Sequence, residues 1–222
     1  MPRKKQFAVD DVKQKAMLAF WDQGYRGTSL QDLVKIMGIN RASLYDTFGD
    51  KHTLFIETLH NYNDTYAKPF FTRLRRTNSP RQAIIALFDE ICDGILKGEE
   101  QNGCYIVNTA LEMSPHNAEV SRIVNRIFAY VEKSFFRKMI EQGQASGEIS
   151  RAVIPTTTSR TLLSLLIGLR VLSRNNPERA LLNSFKAQVK AFLPPGDHAT
   201  SPTPVSVRRN HRKVHVNFVC AG

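Results

Sequence analysis

The sequence predicts an all-α protein: an N-terminal three-helix domain with a helix-turn-helix, followed by a longer C-terminal helical domain. Three observations carry that expectation. Apolar residues recur at helical spacing, and no convincing strand alternation precedes the C-terminal tail. Helix boundaries are marked by capping side chains, prolines and glycines. Two short amphipathic segments between residues 28 and 48 are joined by one glycine turn.

Taken in order, Val12, Ala16, Ala19 and Phe20 mark a first helix, closed by Gly24. Thr28 is a candidate cap for the second, in which Leu30, Leu33, Val34 and Met37 share one face. Gly38 suits a left-handed stop, and Asn40 caps a third helix over about 41–48, with Leu44 and Phe48 inward. Gly49 ends it. Asp50 caps a fourth helix, which buries Leu54 and Phe55.

Further on, Ser79-Pro80, Ser114-Pro115 and Asn176-Pro177 each place a capping oxygen before a proline. That pairing suits a helix start, where proline lacks an N–H that would be orphaned anyway. After Ser79 the stripe is Ile84, Phe88, Ile91, Cys92 and Ile95. Asn102 is a candidate cap for a helix from Gly103 to about Met113. From Ser114 the stripe Val120, Ile123, Ile127, Val131 and Phe135 predicts a long helix to about Ser146. From Asn176 the stripe is Leu181, Phe185, Val189 and Phe192, stopped by Pro194-Pro195. Between them, 156–175 is apolar on nearly every side, as befits either a subunit interface or a central core helix. Gly168 would admit another helix closely there. Beyond Pro194 the composition turns to proline, serine, threonine and arginine, which reads as a flexible basic tail over 194–222.

Over the full 222 residues, Lys plus Arg is 31 and Asp plus Glu is 20, a net +11. Such a balance suggests a polyanionic partner. The excess is spread along the chain, however, and locates no binding face. The greasiest run, 162–172, is interrupted by Ser164, Gly168 and Arg170, so no membrane contact is expected. No apolar signal core follows the basic start, and cytoplasmic location is the expectation. Cys92, Cys104 and Cys220 are too scattered for a disulfide scaffold or paired metal motif. His211 and His215 with Cys220 lack an amphipathic helix, and Pro115 spoils the pair Glu112 and His116. No metal or cofactor is expected. Phosphate-loop, dinucleotide, HExxH and GxSxG motifs are all missing, and an enzyme finds no support.

A helix of about eight residues can enter a major groove with its first turn against base edges. Arg41, Ala42 and Ser43 occupy that turn, Tyr45 lies on the outward side, and Lys51 opens the next helix. An ordinary helical hairpin is the competing explanation of the pattern alone. The segments Gly24-Tyr25-x-Gly27-Thr28-Ser29-Leu30-x-Asp32-Leu33 and Met37-Gly38-Ile39-x-Arg41-Ala42-Ser43-Leu44-Tyr45-x-x-Phe48-x-x-Lys51-x-x-Leu54-Phe55 closely resemble the DNA-binding domain of TetR-type bacterial transcriptional regulators.

The resemblance implies a DNA-reading domain at 1–60, a helical ligand-binding and dimerisation domain at 61–193, and a homodimer built on about 156–174 and 177–193. It implies a repressor that binds a palindromic double-stranded operator and is released by a small-molecule effector. Arg41, Ala42 and Ser43 would then face bases, and Thr28, Tyr45 and Lys51 would contact phosphates. Many members carry Lys-Gly where this chain has Arg41-Ala42, so the operator sequence does not carry over. Phe88, Tyr105, Phe128 and Phe135 fall on helices that line the pocket in relatives. Gly103-Cys104-Tyr105 resembles a subgroup whose cysteine senses oxidants or electrophiles, so a thiol-based sensor acting through Cys104 is one alternative. A helical enzyme or carrier with no DNA function is another.

Overall fold

The computed structural model describes residues 8–196. The basic start Arg3-Lys4-Lys5, the tail beyond Gly196, and His211, His215 and Cys220 lie outside the described residues. Among those described, α-helices and short π or 3-10 turns are joined by loops, with no strand. The chain forms two compact units. The first comprises the chain up to Arg73 together with 102–130; the second comprises 74–101 and the chain from Val131 onward.

The first unit opens with α1 (Val9–Gly27), α2 (Leu30–Met37), α3 (Arg41–Phe48) and α4 (Lys51–Tyr62). A π turn, Asn63–Ala67, then leads into α5 (Lys68–Thr77). The later insertion adds α7 (Tyr105–Glu112) and α8 (Ala118–Tyr130). Leu33, Leu44, Leu54, Phe55 and Leu59 share one buried core with Tyr105, Ile106, Val120 and Ile123. Leu44 and Phe48 face inward as their spacing requires.

Local chemistry explains the head. Gly38 adopts φ +69° and ψ 30°, a left-handed stop that a side chain would strain. Asn40 caps α3 by accepting the Ser43 N–H at 2.8 Å, and Asp50 caps α4 by accepting the Thr53 N–H at 2.7 Å. The cap of α2 is Ser29 rather than Thr28. Its hydroxyl accepts the Asp32 N–H at 3.1 Å, and the Asp32 carboxylate accepts the Ser29 N–H at 2.9 Å, a reciprocal capping box. The Ser29 hydroxyl also donates to that carboxylate at 2.5 Å, and this bond, with the one from the Ser29 N–H, holds the Asp32 carboxyl below the usual carboxylate range. An Asn40→Ala chain is expected to lose about 1 kcal/mol of stability, the ordinary worth of a helix cap. Urea unfolding should show a lower midpoint at unchanged slope; an unmoved midpoint would mean that the cap is dispensable.

In the second unit α6 (Pro80–Leu96) packs with α9 (Lys138–Ala145) and α11 (Arg179–Ala191), and α10 (Pro155–Leu172) packs on the π turn Val131–Arg137. Ile84, Phe88, Phe136, Ile140, Leu162, Leu169 and Leu182 are fully buried. Cys92 is core, as its place in the stripe implies, and burial pushes its thiol up to about 11. Arg170 pairs with Glu100, and Lys186 pairs with Asp93 at 2.6 Å. After α11 the chain is tied back, with Arg81 donating to the Leu193 carbonyl at 2.8 Å and the Ser150 N–H to the Pro194 carbonyl at 2.9 Å.

Several boundaries differ from expectation. Ser79 and Pro80 stand at the start of α6, but the Ser79 hydroxyl makes no cap bond. Cys104, not Asn102, is the N-cap residue of α7. The Asn102 carbonyl instead accepts from the Trp21 indole at 3.2 Å and from the Asn108 amide at 2.9 Å. Ser114-Pro115 lies in a turn. Asn117 caps α8, its side-chain oxygen accepting the Glu119 and Val120 N–H groups at 3.0 Å each. Asn176 takes a left-handed φ of +47° after a 3-10 turn, and α11 starts only at Arg179. Consequently Leu182 and Val189 are its buried positions, while Leu181 is exposed. Nor is α10 buried on all sides within one chain. Ser159, Leu162, Leu166 and Leu169 face the core, whereas Ser164 and Val171 face out. No helix among the described residues is long and apolar enough to cross a membrane.

Candidate nucleic-acid interface

The N-terminal turn of α3 stands clear of the core. Arg41 and Ala42 are exposed and Ser43 is half-buried, its backbone already fixed by Asn40. The helix therefore offers a pinned first turn whose side chains are available to a groove. Tyr45, 39% exposed, lies one turn on. The Arg41 guanidinium sits over the Tyr45 ring at 5.6 Å and donates to its hydroxyl at 3.4 Å. The proposed base reader and the proposed phosphate contact thus lie side by side.

Lys51, at the first position of α4, is half-buried, with its ammonium 4.3 Å above the centre of the Tyr25 ring. Partial burial pulls this lysine below its usual range, and the Glu112 carboxylate opposes the shift. The Tyr25 ring is itself bedded on Phe55 at 4.8 Å and meets His52 edge-on at 6.3 Å. His52 in turn approaches the Glu119 carboxylate at 3.2 Å.

Thr28 is withdrawn from the phosphate set. It is fully buried, and its hydroxyl donates to the Gly24 carbonyl at 2.7 Å. A buried side chain committed to the backbone cannot reach a phosphate; its work is to close the break in α1.

The remaining candidates fall in both units. Tyr105 and Phe128 belong to the first, Phe88 and Phe135 to the second. Tyr105 is fully buried, shares a 2.8 Å hydrogen bond with the Thr58 hydroxyl, and is driven by burial well above the usual tyrosine range. That is the setting of a packed residue. Phe88 stacks on Phe136 at 6.1 Å, and Phe135 meets Phe136 at 5.4 Å. Cys104 is half-buried with its sulfur 3.7 Å from the Tyr62 hydroxyl. Although it is the N-cap of α7, its side chain makes no cap bond, so the thiol takes no direct N–H support there. Among the described residues no three His, Cys, Asp or Glu side chains cluster as a metal site would need.

One residue of consequence escaped the sequence reading. The Glu112 carboxylate accepts two neighbouring backbone N–H groups, from Tyr25 at 3.0 Å and from Arg26 at 2.7 Å. Only its spacing from His116 was notable in the sequence, and that pointed elsewhere.

A capped, solvent-facing recognition helix set against three supporting helices defines a helix-turn-helix DNA-binding regulator. Comparison with known proteins agrees. Residues 14–58 match the family described as bacterial regulatory proteins, tetR family, and residues 80–188 match the LmrA/YxaF-like transcriptional regulator C-terminal domain. The chain belongs to the TetR family of transcriptional regulators and is not an enzyme. It is 36% identical over 151 residues to the uncharacterized HTH-type transcriptional regulator YezE of Bacillus subtilis (strain 168), covering 67% of this chain and 78% of the relative. It is 29% identical to the HTH-type transcriptional repressor ComR of Escherichia coli (strain K12), covering 78% and 82%. Among solved structures, a cysteine mutant of the TetR family regulator CifR complexed with 26bp double-strand operator DNA superposes with a TM-score of 0.76. That match is 27% identical and covers 86% of this chain and all of the other.

Proposed function

We propose that this chain is a cytoplasmic repressor that binds a palindromic operator as a homodimer and is released by a small-molecule inducer. The observation that carries the reading is the exposed first turn of α3, Arg41-Ala42-Ser43, held in place by Asn40. In this reading residues 1–60 read DNA, 61–193 bind the effector and dimerise, and 194–222 are a tail, even though packing groups 102–130 with the head. Arg41, Ala42 and Ser43 face bases; Tyr45 and Lys51 contact phosphates. Phe88, Tyr105, Phe128 and Phe135 remain the candidate effector contacts that the resemblance offers; Phe88, Tyr105 and Phe135 are all fully buried, so an effector would reach any of them only by displacing core packing. Repression has support in the ComR name and operator DNA in the CifR complex. The inducer works by binding more tightly to the dimer shape that does not fit the operator, since only differential affinity moves the equilibrium.

Selection from a randomised duplex library tests this. The enriched sites should be two-fold symmetric; enrichment without symmetry would sink the dimeric reading. Arg41→Ala should change which base pairs are preferred, by about 1–3 kcal/mol for a bidentate base contact. Arg41 must leave the Tyr45 ring to make it. Lys51→Ala should weaken all sequences alike. A uniform loss for Arg41→Ala would move Arg41 into the phosphate class.

The partial exposure of Cys104 supports a second reading, a thiol-based sensor with the same DNA output. Hydrogen peroxide should then abolish operator binding by the parent and spare Cys104→Ser. Equal responses of the two chains would end this reading.

A further inference from the structure

The helix α1 breaks at Gly24, whose φ of +78° and ψ of 169° are not helical. A break of this kind leaves the next N–H groups without carbonyls one turn back, as at any helix start. Here a side chain from a distant part of the chain supplies the acceptors. Both oxygens of the Glu112 carboxylate, at the last position of α7, take the N–H groups of Tyr25 and Arg26. The fit is close. A Cβ on residue 24 would come within 2.8 Å of one carboxylate oxygen, so glycine serves both the backbone angle and the room for Glu112. The residue whose backbone is held carries the ring beneath the Lys51 ammonium. Ring and ammonium form a cation–π contact, which constrains where the charge is presented.

We infer that Glu112 is a positioning residue for DNA binding: it anchors the Tyr25 backbone, and through the Tyr25 ring it sets the Lys51 ammonium for a phosphate. The inference rests on the reading of Lys51 as a phosphate contact. Its direction runs against plain electrostatics. Removing an acidic side chain near a DNA-facing lysine should by charge alone tighten binding to a polyanion. If Glu112 positions Lys51, removing it weakens binding instead.

The full-length chain is titrated with a fluorescein-labelled random-sequence duplex over a salt series, which reports phosphate contacts without knowledge of the operator. Lys51→Met should lose about tenfold in affinity, the scale of one charge-assisted bond, and lower the salt slope by about one. Glu112→Ala should do the same, with Glu112→Gln, which keeps one acceptor oxygen, falling between. In the Lys51→Met background Glu112→Ala should add nothing. Tyr25→Leu keeps the anchored backbone but removes the ring, and should reproduce the Lys51→Met loss even if Glu112→Ala proves too unstable to purify. Tighter binding by Glu112→Gln, or losses from Glu112 and Lys51 that simply add, would overturn the inference while leaving the lysine's role intact. An unchanged affinity and slope for Lys51→Met would instead remove the phosphate-contact reading on which it stands.

Discussion

A Gly168→Trp chain is expected to scatter light as single chains at micromolar concentration and to lose operator affinity on the order of a hundredfold, the scale of lost bivalency. Gly168 lies in α10, and a Cβ built there meets no atom within 4 Å beyond its chain neighbours and its own helix backbone. The backbone there has room for a side chain to start outward, and exchange of a helical glycine for tryptophan is itself favourable by roughly 0.5 kcal/mol. Ser164 and Val171, one turn to either side, are both exposed, and Leu181 on α11 is exposed as well. These positions leave open a face of the kind that a second copy would cover at the proposed dimer contact. An indole placed there would hold two such helices apart. A mass near two chains with unchanged operator affinity would put the contact elsewhere.

Phe55→Ala should be the most damaging single truncation in the head, at about 3–5 kcal/mol for a large aromatic lost from a packed core. Phe55 is 1% exposed. Its ring meets Phe20 edge-on at 5.1 Å, Tyr25 at 4.8 Å and Tyr105 at 6.0 Å. The melting midpoint followed by circular dichroism should fall by on the order of 10 °C for a chain of this size. Random-duplex affinity should fall too at temperatures where the variant is still folded, because Tyr25 loses its bed beneath Lys51. A midpoint within a degree or two of the parent would mean that the neighbouring rings close the gap.

What could be read from the sequence was what lies within about one helical turn. Gly38, Asn40, Gly49 and Asp50 act on groups three or four residues away, and each stands where its spacing placed it. The inward faces of α2 and α3 followed from period alone. Errors arose where two local signals competed. Thr28 and Ser29 are adjacent hydroxyls, and the choice depends on Asp32 standing three residues beyond Ser29 and on a core that swallows Thr28. Ser114-Pro115 resembled a helix start, but the turn continues to Asn117, which takes the cap. The contacts that matter most at the site were out of reach for a different reason. Glu112 meets Tyr25 and Arg26 across more than eighty residues, and no spacing rule connects them. Arg41 and Tyr45 are the opposite case: an i, i+4 pair on an exposed helix that the spacing announces.

The first unit is discontinuous in sequence, its core closed by Tyr105, Ile106, Val120 and Ile123 from a segment that follows a stretch belonging to the other unit. During synthesis the DNA-reading helices therefore leave the ribosome without the residues that complete their interior. At about 5–20 residues per second, several seconds separate the emergence of α4 from that of α8. Through that interval the nascent head exposes the sides of α1 and α4 on which Tyr105 later packs, a window open to holdase chaperones and closed only when the insertion arrives. A gene truncated after residue 73 would encode every residue proposed to face bases and still leave that interior unfilled.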